Sequence, residues 1–150
     1  MKVRRQQLLI WAAWLVYVAA WFVPVVKEGV TLPDGLPGWQ AFRVAASAVW
    51  PLQDVTIDKW YKAVLFTVSA ITTLLFFPGS VWAVWSGSRA LRRASAWVAT
   101  AAFVVNAHWY VLYGGSARED LRIGYFLWWL SFLLMALGLF DLSRREVGKQ

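Results

Sequence analysis

The sequence predicts an all-α integral membrane protein, with four transmembrane helices and a short interfacial helix in the first external loop. Three observations carry this reading. Sixty per cent of the 150 residues are hydrophobic and fifteen per cent charged, against roughly 45–50% and about 25% in average soluble domains. Four segments reach or approach the ~20 apolar residues a helix needs to cross ~30 Å of hydrocarbon. The basic residues gather on one side of those segments.

The spans are 8–26, 62–85, 95–113 and 123–140, and none contains Asp, Glu, Lys or Arg within its apolar run. Backbone groups in lipid must pair internally, so helices are the expected form. The first span has a basic start like a signal peptide. Its apolar run is too long for one, is rich in Trp, and lacks a small-x-small cleavage site before Lys27, so it reads as a retained helix. It places Trp11, Trp14, Tyr17 and Trp21 on one stripe, expected to face lipid or another protein, with Ala12, Ala13, Ala19 and Ala20 largely opposite. The third span has a similar small-residue face in Ser95, Ala96, Ala99, Thr100, Ala101 and Ala102. Small residues let helices approach closely, so both faces are expected inside the bundle or against a partner.

Charge sets the orientation. Lys2, Arg4, Arg5, Arg89, Arg92, Arg93, Arg144, Arg145 and Lys149 share a side with only Asp141 and Glu146. The other side carries Lys27, Arg43, Lys59, Lys62, Arg118 and Arg122, balanced by six carboxylates, so the whole +7 lies on one face. The positive-inside rule then puts both termini in the cytoplasm. The charge is accounted for by topology and contact with anionic lipid, so nucleic acid is not expected as a partner.

Between the first two spans, the external loop 27–61 is longer than an ordinary connection. LPDGLPG, residues 32–38, supplies turn chemistry. WQAFRVAASAVW, residues 39–50, puts Trp39, Phe42, Ala46, Val49 and Trp50 on one helical face beside Gln40, Arg43 and Ser47. That pattern fits a short helix lying in the interface or capping the bundle, ended by Pro51. Asp58 is a plausible N-cap for the second span, and Ser116 with Glu119 forms a capping box before the fourth. Asp54, Thr56 and Asp58 have the spacing of an incomplete calcium loop, but the required Gly and bidentate Glu are missing.

The candidate functional residues are His108, Asn106, Tyr110, Pro78 and Trp39. His108 is the sole histidine and sits inside the third span. Intramembrane ionisable residues are functional candidates by default. A haem held by two histidines would need a second copy of the chain, and the neighbours Asn106, Trp109, Tyr110 and Tyr113 fall on another face. The structural reading, a His bonded to a neighbouring helix or headgroup, is therefore preferred. Asn106, Tyr110 and Tyr113 either line a small polar cavity or make interhelical hydrogen bonds, the second being the commoner use. The second span carries Thr67, Ser69, Thr72 and Thr73, then Pro78 and Gly79, a place for a kink.

The chain has no cysteine. Disulfides, thiolate metal sites and cysteine nucleophiles are excluded. The spans hold no carboxylate for proton or cation coupling, and no Ser-His-Asp set, paired acids or metal-spaced cluster occurs. No cofactor and no enzymatic activity are expected. The leading function is that of a non-catalytic accessory, assembly or interaction subunit, acting on a protein partner or a second copy within the bilayer. The alternative is a small oligomeric transporter or pore, using the polar face of the second span with Asn106 and His108.

LPGWQAF, residues 36–42, follows the first span in an external loop. In this it resembles a loose group of small bacterial inner-membrane proteins of unassigned function, which carry a Gly-Trp-x-Ala element there, here Gly38, Trp39, Gln40 and Ala41. The resemblance implies a bacterial cytoplasmic membrane and transfers no activity.

Overall fold

The computed structural model describes residues 5–27, 35–50, 59–112 and 121–144. Expectations for the calcium-like DVTID stretch, Asp58, the Ser116–Glu119 capping box, Tyr113, Lys2, Arg4 and the last six residues lie outside them. The fold is all-α with one small sheet. In order it comprises α1 (Arg5–Ala20), β1 (Pro24–Val26), β2 (Leu36–Pro37), α2 (Gly38–Ala45), a 3-10 turn (Ala46–Ala48), α3 (Trp60–Trp85), α4 (Arg89–Asn106), α5 (His108–Leu112) and α6 (Ile123–Arg144).

Two helices, α3 with 26 residues and α6 with 22, are long and apolar enough to cross a membrane by length and composition. The first expected span is shorter than the sequence reading. Instead of running to residue 26, α1 ends at Ala20 after 16 described residues. Pro24 explains the stop. Its ring would collide with the carbonyl of Ala20 one turn back, and it has no N–H to give that carbonyl. Residues 24–26 instead pair antiparallel with Leu36–Pro37. Val26 also bridges Leu121, and the Arg122 N–H donates to the Val25 carbonyl at 2.8 Å. The strand thus ties the end of α1 to the start of α6.

α6 is the central helix. α1 packs along it most extensively, then α4. α1 buries Gln6, Ile10, Ala13, Tyr17 and Ala20 at alternating steps of four and three, and α4 buries Arg92, Ala96, Ala99, Ala102 and Asn106 at steps of four, three, three and four. This is the seam spacing of helices packed at a shallow angle. Ala96, Ala99 and Ala102 of the expected small-residue face are thus inside the bundle, but Ala101 is exposed. Gly138 of α6 permits the α1 crossing, because a Cβ there would meet Ile10 Cγ1 at 2.8 Å. Phe132, Met135 and Leu139 fill the centre of the core.

The aromatic stripe of α1 does not face outward as a unit. Trp11 is exposed, but Tyr17 is buried. Its hydroxyl donates to the Thr73 carbonyl at 2.6 Å, and its ring stacks on Phe76. A phenol carries both an apolar body and a polar tip, and α3 offers a partner for each. Trp14 donates to Ser80 Oγ at 2.8 Å.

The opposite end of the bundle is closed by Arg92. Its side chain is buried, with Nε donating to the Ala83 carbonyl at 3.3 Å and Nη2 to that of Val84 at 3.2 Å. A cation there satisfies carbonyls in the last turn of α3 and opposes the negative end of its dipole.

Candidate functional site: a polar clasp and an apolar cavity at the α2 end

The third expected span, 95–113, is not one helix. It begins earlier, at Arg89, with Ser88 as N-cap, and it breaks at Ala107. Asn106 explains the break. In a continuous helix its carbonyl would accept the Tyr110 N–H. Here it accepts the Tyr125 hydroxyl of α6 at 3.1 Å, and Tyr110 N–H bonds the Ala107 carbonyl at 3.0 Å. The ladder has been diverted to hold two helices together.

The Asn106 side chain is 0% exposed and joins α3 to α4. The Trp109 indole donates to Ser69 Oγ at 3.1 Å, and the Ser69 hydroxyl donates to Asn106 Oδ1 at 2.6 Å. Asn106 Nδ2 donates to Thr72 Oγ1 at 3.1 Å, and Thr72 passes its proton to the carbonyls of Val68 and Ser69 at 2.9 and 3.0 Å. Ser69 and Asn106 each give one bond and take one, the arrangement in which buried polar groups reinforce each other. The interhelical use of Asn106 is thus the one found. The other Ser and Thr residues of α3 bond back to their own helix, Thr67 to Ala63 and Thr73 to Ser69.

The remaining candidates do not join this clasp. His108 is 7% exposed, and its Nδ1 lies 2.8 Å from the Val105 carbonyl. A carbonyl only accepts, so Nδ1 carries the proton and the ring serves as a donor at the helix break. Its Nε2 is buried without a hydrogen-bond partner among the described residues. Tyr110 turns toward α6, its ring 6.3 Å from that of Phe126. Pro78 lies on the exposed face of α3, and the helix runs through it unbroken. Pro78 and its neighbour Gly79 therefore sit away from the polar face. No group of three or more His, Asp or Glu side chains that could hold a metal occurs among the described residues.

Beside the clasp lies an apolar cavity of about 110 Å³. Ser69 and Thr73 of α3 with Tyr125 and Trp128 of α6 form one side, and Trp21 and β1 another. α2 covers it through Gly38, Ala41, Phe42, Val44 and Ala45. The expected apolar face of this segment is therefore shifted. Phe42 packs inward, its ring 5.4 Å from Trp21, but Trp39, Val49 and Trp50 point outward and Ser47 is buried. Two causes act together. The α-helix gives way at Ala46 to a tighter 3-10 turn, which rotates the later side chains. Gly38 also fixes the starting angle, since a Cβ there would collide with the carbonyl oxygen of Ala20 and the Cα of Trp21. The Trp39 N–H donates to the Trp21 carbonyl at 3.3 Å. Within the Gly-Trp-x-Ala element, Gly38 permits the contact with α1, Ala41 lines the cavity and Trp39 is 44% exposed.

Trp109, Tyr125 and Trp128 were not singled out in the sequence as site residues. The signal available for the cavity was the pair Ala41 and Ala45, one helical turn apart on a segment otherwise rich in large side chains. No family model, curated protein or solved structure matches this chain.

Proposed function

We propose that the chain is a non-catalytic membrane protein, crossing the bacterial inner membrane four times with both termini in the cytoplasm. It would act as an accessory or assembly subunit through its helix faces and its outer cap. The observation that carries this reading is the distribution of exposed apolar side chains. Leu8, Trp11 and Leu15 of α1, Ile71, Leu74 and Leu75 of α3, Trp97 and Val98 of α4, and Ile123 and Leu137 of α6 all lie on the surface. Soluble monomers rarely expose contiguous apolar patches beyond a few hundred Å². On α3 this band is bounded by exposed tryptophans at both ends, Trp60 at 79% and Trp82 and Trp85 at 70% and 79%. At 1.5 Å per residue they stand about 33 to 38 Å apart, which spans ~30 Å of hydrocarbon and reaches both interfaces. Of the other two expected spans, α1 extends its 16 residues with the strand after Ala20, and α4 continues past its break into α5.

The interior supports the accessory role over the transporter alternative. The polar groups that a pathway along α3 would use, Ser69, Thr72 and Asn106, bond one another. Pro78, the proposed kink, is on the outside.

The absence of native cysteine makes topology directly testable. Arg43→Cys on α2 should react with an impermeant maleimide in intact cells, and Ala90→Cys in the first turn of α4 only after the membrane is opened. Labelling of both from one side sinks the four-span reading. Photo-crosslinkers at Leu75 and Val98 in the native membrane should yield discrete adducts with a partner or a second copy. Adducts to lipid alone, with lone monomers in mild detergent, would refute the accessory role. A flux in reconstituted vesicles that Asn106→Ala, His108→Ala and Pro78→Ala abolish would install the transporter reading in its place.

A further inference from the structure

We propose that the cavity beneath α2 is a binding site for one acyl chain of an outer-leaflet membrane lipid, with α2 as its cover. The inference rests on the membrane reading above and names a ligand for a site that reading leaves unassigned.

The chemistry of the wall selects the ligand. It is almost entirely carbon. Four of the polar side chains that reach it have already committed their protons. Ser69 donates to Asn106, Thr73 to the Ser69 carbonyl, Trp109 to Ser69 and Tyr125 to the Asn106 carbonyl. An anion or sugar would find none of these four donors available, and burying an unpaired polar group is unfavourable. Hydrocarbon makes no such demand.

Location favours lipid over a small soluble molecule. Ser69 lies nine residues and Thr73 thirteen residues into α3 from Trp60, hence about 14 and 20 Å along the helix. With Trp60 at the interface, those depths bracket the middle of a hydrocarbon layer ~30 Å thick, the level at which an outer-leaflet acyl chain ends. The cavity is open rather than sealed, and exposed apolar residues stand near its lining residues in sequence, Phe22 after Trp21 and Ile123 before Tyr125. Acyl chains are the most concentrated apolar molecules there.

Size fixes what enters. A group the size of a water occupies ~30 Å³, so a cavity of about 110 Å³ holds a stretch of about four carbons. A whole lipid does not fit, but one chain can enter while its headgroup remains at the interface beside the exposed Trp39 and Arg43. The space exists because α2 presents Ala41 and Ala45 where larger residues would close it. Tightly packed interiors leave few such voids, and an empty one weakens the fold.

The test uses the full chain in vesicles containing phosphatidylglycerol with a diazirine on one acyl chain. After illumination, adducts should map to residues 38–45 and to Trp128, as well as to the lipid-facing Leu74 and Leu75. Ala45→Leu should lose the adducts at 38–45 and Trp128 to background and leave those at Leu74 and Leu75 unchanged. Ala41→Leu fills the same space one turn earlier. The two variants are read together, with helical content and detergent elution checked, so that a folding failure in one leaves the other to decide. The proposal is overturned if cavity residues take no label, or if their labelling survives a folded filling variant. The cysteine map separates the two readings. Opposite-side labelling of Arg43→Cys and Ala90→Cys without cavity adducts removes the lipid site and keeps the membrane protein. Same-side labelling removes both.

Discussion

Removing Asn106 should cost more than any other single polar truncation in the bundle, and the cost should be shared with Ser69. Asn106→Ala deletes two interhelical bonds, one accepted from Ser69 at 2.6 Å and one given to Thr72 at 3.1 Å. Interhelical hydrogen bonds in membranes average ~0.6 kcal/mol and reach ~1.7. The pair is therefore worth about 1 to 3 kcal/mol, with the short and fully buried Ser69 bond nearer the upper end. Ser69→Ala alone loses that bond and the acceptor for Trp109. The double variant Ser69→Ala/Asn106→Ala removes both partners, so it should be less destabilised than the sum of the single changes, by about 1 kcal/mol. Equilibrium unfolding in mixed detergent, followed by helical signal, measures all four corners of the cycle. Coupling below about 0.3 kcal/mol, the level at which independent sites add, would show that the bonds do not act together and that the clasp is geometry without energy.

Other substitutions probe other elements. Gly38→Ala places a methyl against the backbone at Ala20 and Trp21, so it should loosen the cover by about 1 to 3 kcal/mol, read as faster proteolysis or amide exchange across residues 38–48. Gly138→Ala drives a Cβ against Ile10 and should lower thermal stability. Gly79→Ala meets nothing within 4 Å and should raise it by up to about 1 kcal/mol through helix propensity. If these two glycines respond alike in a melting experiment, the α1–α6 crossing is misplaced. Tyr17→Phe keeps the stack on Phe76 and loses the bond to the Thr73 carbonyl. It should cost about 0.6 to 1.7 kcal/mol in the same unfolding assay, and no change would mean the phenol has an equal partner elsewhere.

Patterns set by one helix at a time were legible in the sequence. α3 and α6 follow from apolar length, and the inward alanine face of α4 from residue size. The hydroxyls of Thr67, Thr72 and Thr73 bond back to their own helix, as their chemistry dictates. Features decided between helices were not legible. Hydropathy carries residues 21–26 along with α1, but a proline and a pairing partner ten or more residues away turn the last three of them into strand. The stripe containing Tyr17 reads as one aromatic face, yet a carbonyl on α3 draws that phenol inward. His108 attracts notice as the sole histidine. The residue that organises the site is Asn106, two positions earlier, because its partners Ser69, Thr72 and Tyr125 come from two other helices. The cavity was hidden for a further reason. It is defined by what Ala41 and Ala45 leave unfilled, and empty space has no residue to announce it.

The strand after α1 sets an order of assembly. Its partners at Leu121 and Arg122, and the helix on which α1 leans most heavily, are the last described parts of the chain to be synthesised. Early in biogenesis α1 must therefore wait without its main neighbour, with the seam from Gln6 to Ala20 uncovered. Only the arrival of α6 closes the ring and seats the cover. A ribosome-released fragment ending after α4 would keep that seam open, marking it for whatever machinery surveys unfinished chains.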